Sequence, residues 1–188
     1  MHHHHDRHAN TEGARSPFEQ DGPPPAGGGP RDRCRETRTS RPARYTCVID
    51  VMVLLHRDDG RVLLLRRAGD VYASGLLAPP GGHLEADETV VDGALREVRE
   101  EVGLRLDPDE LEFCHLVHHR GPRGEARLGV VFTAQRWEGE PRNLEPAKCS
   151  ALVWADPACP PADCVPYTAA VLTRFVTGAL LSTHGWAV

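Results

Sequence analysis

Apolar residues first come in runs near Tyr45, and from there their spacing sets out the elements. Val48-Ile49-Asp50-Val51-Met52-Val53-Leu54-Leu55 is nearly continuous, the pattern of a buried strand. Asp58-Asp59-Gly60 reads as a turn and Arg61 to Arg67 as a second strand, so the spacing predicts a hairpin. Gly69 to Gly82 reads as a loop with a stiff end at Pro79-Pro80-Gly81-Gly82. Asp87 is the predicted N-cap of a helix whose apolar stripe is Val91, Ala94, Leu95, Val98 and Val102. Gly103 ends that helix. Strands are expected at Glu110 to His119, Leu128 to Trp137 and Ala151 to Ala155, with a turn at Arg120 to Gly124. Tyr167 to Val176 reads as a closing amphipathic helix. Strands on both sides of one central helix, with a second helix at the end, imply an α/β domain with a sheet packed between helices.

Upstream of Tyr45 the pattern changes. Residues 1–43 hold His2 to His5, Pro23 to Pro25, Gly27 to Gly29 and many charges, with little apolar surface to offset ordering entropy. They read as a solvated tail without a part in the chemistry, and residues 44–188 as one domain. The chain has 188 residues and a formal net charge of -5, against the basic balance of a general nucleic-acid binder. No apolar run is long enough to cross a membrane, and the polar start does not resemble a secretory signal. The six cysteines form no Cys-x-x-Cys pair and read as reduced thiols of a cytoplasmic protein.

The central segment carries the chemistry. Glu97, Glu100 and Glu101 have i, i+3, i+4 spacing and share one helix face. Two such charges about 4 Å apart repel by roughly 4 kcal/mol at an effective dielectric near 20. A surface ion pair with Arg96 or Arg99 returns only about 0.2–0.5 kcal/mol. A divalent cation with oxygen ligands, magnesium or manganese, offsets the repulsion far better. An acidic face splayed into water is the plain alternative for an isolated Glu-x-x-Glu-Glu. The surroundings turn the argument: Glu88 lies eight positions before Arg96, near the start of the same predicted helix, where pairing would orient the acidic face.

Gly82, Glu88, Arg96, Glu97, Val98, Glu100, Glu101, Gly103 and Leu104 fill every position of G-x5-E-x7-R-E-U-x-E-E-x-G-U, where U is aliphatic. The segment resembles the Nudix box. Leu65 to Asp70, Trp137 to Pro141 and Asn143 to Pro146 resemble the MutT-type subgroup, and the likeness covers roughly residues 45 to 180. Leu77-Ala78-Pro79 departs from the usual residues ahead of the Pro-Gly pair. The resemblance implies an α/β/α sandwich with a mixed sheet between helices and the box as loop-helix-loop. It also implies divalent-metal hydrolysis of nucleoside diphosphates linked to another group.

By the same resemblance Glu97, Glu100 and Glu101 bind Mg2+ or Mn2+, joined by the Gly81 carbonyl. The general base is one of these carboxylates, or Glu145 in the later loop. Gly82, Glu88, Arg96 and Gly103 support the box. Arg67 is a candidate phosphate clamp, because guanidinium matches phosphate geometry. Asp163 is a candidate base reader. His115, His118 and His119 alternate across a strand and are not expected to share a metal. Phe132, Trp137 and Trp154 are expected in the core, and Cys149 as an ordinary thiol. The expected substrate is a nucleoside triphosphate, oxidised forms included, or a related nucleoside diphosphate derivative. ADP-ribose or a nucleotide sugar is the alternative, and a non-catalytic nucleotide sensor the other class. The expected partner is thus a small nucleotide, with neither a stable nucleic-acid partner nor a membrane, and a homodimer by analogy with the family.

Overall fold

The computed structural model describes residues 44–186, so the expectation of an N-terminal tail lies outside the described residues. The elements run β1 (Val48–Leu55), β2 (Val62–Arg67), β3 (Leu77–Ala78), β4 (Gly81–His83), α1 (Val90–Val102), a 3-10 turn (Pro108–Glu110), β5 (Glu112–Arg120), β6 (Ala126–Ala134), β7 (Cys149–Ala155), α2 (Pro166–Val176) and β8 (Leu181–His184). Among the described residues no helix is long and apolar enough to cross a membrane.

The strands form a five-stranded mixed sheet, β4-β1-β6-β5-β8, and a three-stranded antiparallel sheet, β3-β2-β7. In the larger sheet β1 runs parallel to β6 over its whole length, and β8 parallel to β5. The expected hairpin of β1 and β2 is therefore not a ladder. Only a His56–Val62 bridge and an Arg57 to Arg61 hydrogen bond of 2.9 Å join them at the turn. β1 has β6 on one edge and β4 on the other, which leaves it no edge for β2. The long loop also contains more order than expected, because β3 pairs with β2 and β4 with β1. β8 lies beyond the elements expected from sequence.

Alternation along β1 divides the core. Val51, Val53 and Leu55 pack toward Ala94, Val98 and Val102 of α1. Met52 and Leu54 pack toward Val171 and Leu172 of α2. Successive strand residues face opposite sides, so a strand covered by a helix on each face must be apolar throughout. This is the expected α/β/α arrangement.

Helix α1 starts later than expected. Its N-cap is Thr89, not Asp87: the Thr89 hydroxyl accepts from the Asp92 N–H, and the Asp92 carboxylate accepts from the Thr89 N–H. That reciprocal pair satisfies two otherwise orphaned donors. Asp87 occupies the left-handed region at φ 68°, a conformation short acids tolerate, and so turns the chain into the cap. Gly103 ends the helix at φ 72°, as the sequence implied.

Candidate active site

Anchoring α1 by Ala94, Val98 and Val102 leaves Glu97 and Glu101 to face Gly82 and Gly81 of β4, with Glu100 beside them in solvent. Glu101 is half-buried, and its Oε2 accepts from the Gly81 N–H at 2.9 Å. Burial pushes its carboxyl up to about 7; the Gly81 N–H opposes this, and nearby Glu97 and Glu145 add to it. Gly81 itself has no room for a side chain, since a Cβ would run into the Val51 carbonyl. The neighbouring Gly82 is set against the Glu97 carboxylate, which a Cβ would strike. Glycine at 81 thus lets this strand pack tightly on β1, and glycine at 82 lets its backbone approach Glu97.

Arg96 fixes the acidic face. Its Nε and Nη2 donate to Glu88 at 3.0 and 2.8 Å, and its Nη1 to Glu97 at 2.8 Å. Nη1 also reaches Glu100 at 3.5 Å, and that carboxylate is otherwise exposed. Glu88 additionally accepts from the Glu85 N–H, tying the loop to the helix. Arg96 first, then the Glu85 N–H, hold the Glu88 carboxyl down at about 2. The helix end is tied down as well: Arg142 and Leu144 N–H groups donate to the Val102 and Glu101 carbonyls at 2.9 and 3.0 Å. These bonds satisfy carbonyls that a helix end leaves open. They bring Glu145 close enough to act on Glu101, although the Glu145 carboxylate is paired with Lys148 at 2.7 Å.

A cavity of about 440 Å³ opens beside Gly81 and Gly82 on the α2 side of the larger sheet. That volume suits a small organic ligand. Arg67 lines it, its Nε held by the Tyr72 carbonyl at 2.6 Å, and it is near enough to Glu101 to favour the charged acid. Arg67 thus stands between cavity and acids. Asp163 does not line the cavity: Arg66 Nη1 holds it at 2.7 Å, and it is exposed. The base-reading role expected of Asp163 has no support in this placement.

The sequence reading missed a polar group on the cavity wall. Asp50 takes Arg127 Nη1 at 2.9 Å and His83 Nδ1 at 2.8 Å. The signal was a lone acid within the apolar run of β1. His119, Glu125 and Tyr167 also line the cavity. His115 is fully buried between the Ala179 carbonyl and the Ser182 hydroxyl, and His118 packs on Trp186, so the three histidines do not converge. Phe132 is in the core, with Trp137 and Trp154 half-buried against it. Cys149 is buried, which pushes its thiol up, as an unreactive thiol requires.

Among the described residues no three ligating side chains converge into a finished metal cage. The donor chemistry nevertheless fits a hard cation. Three carboxylates lie within five residues, and the Glu101 carboxylate meets only the Gly81 amide while two other acids push against its charge. Oxygen donors of this kind suit Mg2+ or Mn2+.

A NUDIX domain family profile matches residues 48–172. The chain is 47% identical over 119 residues to a MutT-like protein of Streptomyces ambofaciens, covering 63% of this chain and 68% of that one. It is 45% identical over 64 residues to an m7GpppN-mRNA hydrolase of Danio rerio, covering 34% of this chain but only 21% of that protein's length. The fold resembles the crystal structure of a MutT NUDIX hydrolase from Burkholderia pseudomallei with a TM-score of 0.63, 28% identity, and coverage of 69% of this chain and 98% of that one. With all nine box positions filled and the loop, helix and sheet arranged around them, the chain belongs to the NUDIX family, among its MutT-like hydrolases.

Proposed function

We propose that the chain is a metal-dependent pyrophosphohydrolase that cleaves a phosphoanhydride in a nucleoside triphosphate or a related nucleoside diphosphate derivative, oxidised nucleotides included. The observation that carries this reading is Glu101, a half-buried acid held by the Gly81 amide beside Glu97 and next to a nucleotide-sized cavity. Glu97, Glu100 and Glu101, with the Gly81 carbonyl, would hold Mg2+ or Mn2+. When bound, the cation would supply positive charge against the anhydride oxygens.

The chain's own residues then have separable tasks. Arg67 grips a phosphate with the guanidinium edge that faces away from Tyr72. Arg96 and Glu88 keep Glu97 and Glu100 on one face. Either Glu97, Glu100 or Glu145 takes the proton of the attacking water. The free thiols of Cys47, Cys114, Cys149, Cys159 and Cys164 suit a reducing compartment, and the reading places the reaction in the cytoplasm on free nucleotides. Incubating a nucleotide panel with the protein and Mg2+, then identifying products, tests the reading. It expects cleavage between phosphates; intact nucleotides throughout would overturn it.

A further inference from the structure

His119 and His184 face each other across the last pair of strands. β5 and β8 run parallel, and their register sets the two residues side by side. The Nδ1 atoms are 3.1 Å apart, with ring centroids 5.2 Å apart and planes inclined by 30°. Both residues are half-buried. The chain just after His184 is fixed on β5. Gly185, at φ 76°, lies so close to the Arg120 carbonyl that a Cβ would strike it, and the Trp186 indole N–H donates to the His118 carbonyl at 2.9 Å. The Tyr167 ring packs on that of His119, 4.7 Å between centroids. Strand register and these contacts hold the pair in place.

Two Nδ1 atoms this close cannot both carry a proton. One ring therefore offers a lone pair. Moving the other ring's proton from Nδ1 to Nε2 offers a second, with no net loss of protons. Donors 3.1 Å apart subtend about 95° at an ion about 2.1 Å from each, between the angles of octahedral and tetrahedral shells. Burial first, then the nearby His184 and Arg127, holds the His119 ring below its ordinary value against the pull of Asp50 and Glu125, which keeps it neutral at neutral pH.

The surrounding charges leave room for a cation. Arg127 is paired with Asp50 at 2.9 Å, and the Arg120 guanidinium lies over the Trp186 ring. Neutral imidazole suits Zn2+, Ni2+ or Cu2+, whereas Mg2+ takes oxygen ligands. The pair thus differs in ligand class from the acids of α1. Among the described residues no third His, Cys, Asp or Glu joins it, so the other coordination positions fall to water or an external donor. A cavity of about 480 Å³, lined by both histidines with Tyr72, Arg120, Pro122 and Tyr167, gives them space.

We propose that His119 and His184 form a binding site for a borderline divalent metal ion, Zn2+, Ni2+ or Cu2+, which clips the last strand to the sheet. The site is independent of the hydrolase reading, since neither histidine belongs to the box.

Thermal unfolding of the full chain tests it, in reductant and with Mg2+ in excess to occupy the acids of α1. Zn2+ is added or withheld for wild type, His119→Asn, His184→Asn and the double variant. His2 to His5 and the cysteines are the same in all four proteins, so Zn2+ held there cancels in the comparison. The readout is the shift that Zn2+ produces, whatever the melting temperature without it. Wild type should rise by about 3 °C or more beyond either single variant, because the ion binds the assembled pair and not the separated residues. Both substitutions remove one site, so the double variant should lose no more of the shift than either single variant. Equal Zn2+ shifts in wild type and both single variants would overturn the site. A double variant that loses the sum of the two single losses would overturn it too, because the rings would then bind ions separately.

Discussion

Arg96 grips Glu88 with two parallel hydrogen bonds, Nε to Oε2 at 3.0 Å and Nη2 to Oε1 at 2.8 Å, across eight positions of chain. The same guanidinium reaches Glu97, so the loop before α1 and its acidic face are set by one side chain. Glu88→Gln is expected to lower the melting temperature at neutral pH and to reduce turnover by loosening Glu97. The pH dependence follows from the depressed Glu88 carboxyl, about 2 against an ordinary value of 4.5. A group whose pKa falls on folding contributes its full stability above the unfolded value and loses it as pH drops through the folded one. The melting-temperature gap between wild type and Glu88→Gln should therefore be widest above about pH 5 and close toward pH 2. A gap that stays constant across that window would show that the pair does not act through its charge.

Gly81 and Gly82 make opposite predictions for an added methyl group. At Gly81 the Cβ meets backbone, the Val51 carbonyl and the Met52 Cα, neither of which can move aside cheaply. Gly81→Ala is expected to destabilise the fold by about 1–3 kcal/mol, read by denaturant unfolding. At Gly82 the Cβ meets the movable Glu97 carboxylate. Gly82→Ala should melt close to wild type and lose turnover by about tenfold or more, because Glu97 is displaced. Normal turnover in Gly82→Ala would mean that the position of Glu97 is unimportant.

Arg67 and Asp163 separate in the same way. Arg67→Ala should raise KM by about tenfold, the scale of one charge-assisted phosphate contact. Asp163 is an exposed partner of Arg66 outside the cavity, so Asp163→Ala should leave KM and base preference unchanged. Its stability cost should stay within about 1 kcal/mol, as for surface ion pairs. Steady-state kinetics with two bases checks both, and a changed base preference in Asp163→Ala would return the reading role to that residue.

The sequence made the box legible because helical spacing alone puts Glu97, Glu100 and Glu101 on one face; Glu88 precedes the helix, and the turn at Asp87 rather than helical spacing brings it to Arg96. The two-sided burial of β1 was legible for a similar reason: continuous apolar residues in a strand require cover on both faces. Edge partners were not legible. Nothing in Val48–Leu55 or Val62–Arg67 says that these strands enter different sheets, since apolar pattern reports faces, not edges. The cap shifted to Thr89 because Asp92, three residues on, completes a reciprocal bond that Asp87 lacks. Glu125 and Tyr167 read locally as a turn acid and a helix residue. The approach of Tyr167 to Gly129 joins a helix to a strand far away in sequence, which only the fold brings together.

The central claim is that the acids of α1 exist to hold a hard cation for phosphoanhydride cleavage. Turnover of a nucleotide panel by wild type and Glu100→Gln, at matched melting temperature and with Mg2+ present or chelated, tests it most directly. Losing a true ligand removes several kcal/mol of transition-state stabilisation, a factor of about 100 or more in rate. The account predicts that loss in Glu100→Gln, and a comparable one in wild type on chelation. Undiminished turnover in a folded Glu100→Gln, or in wild type without divalent metal, would contradict it.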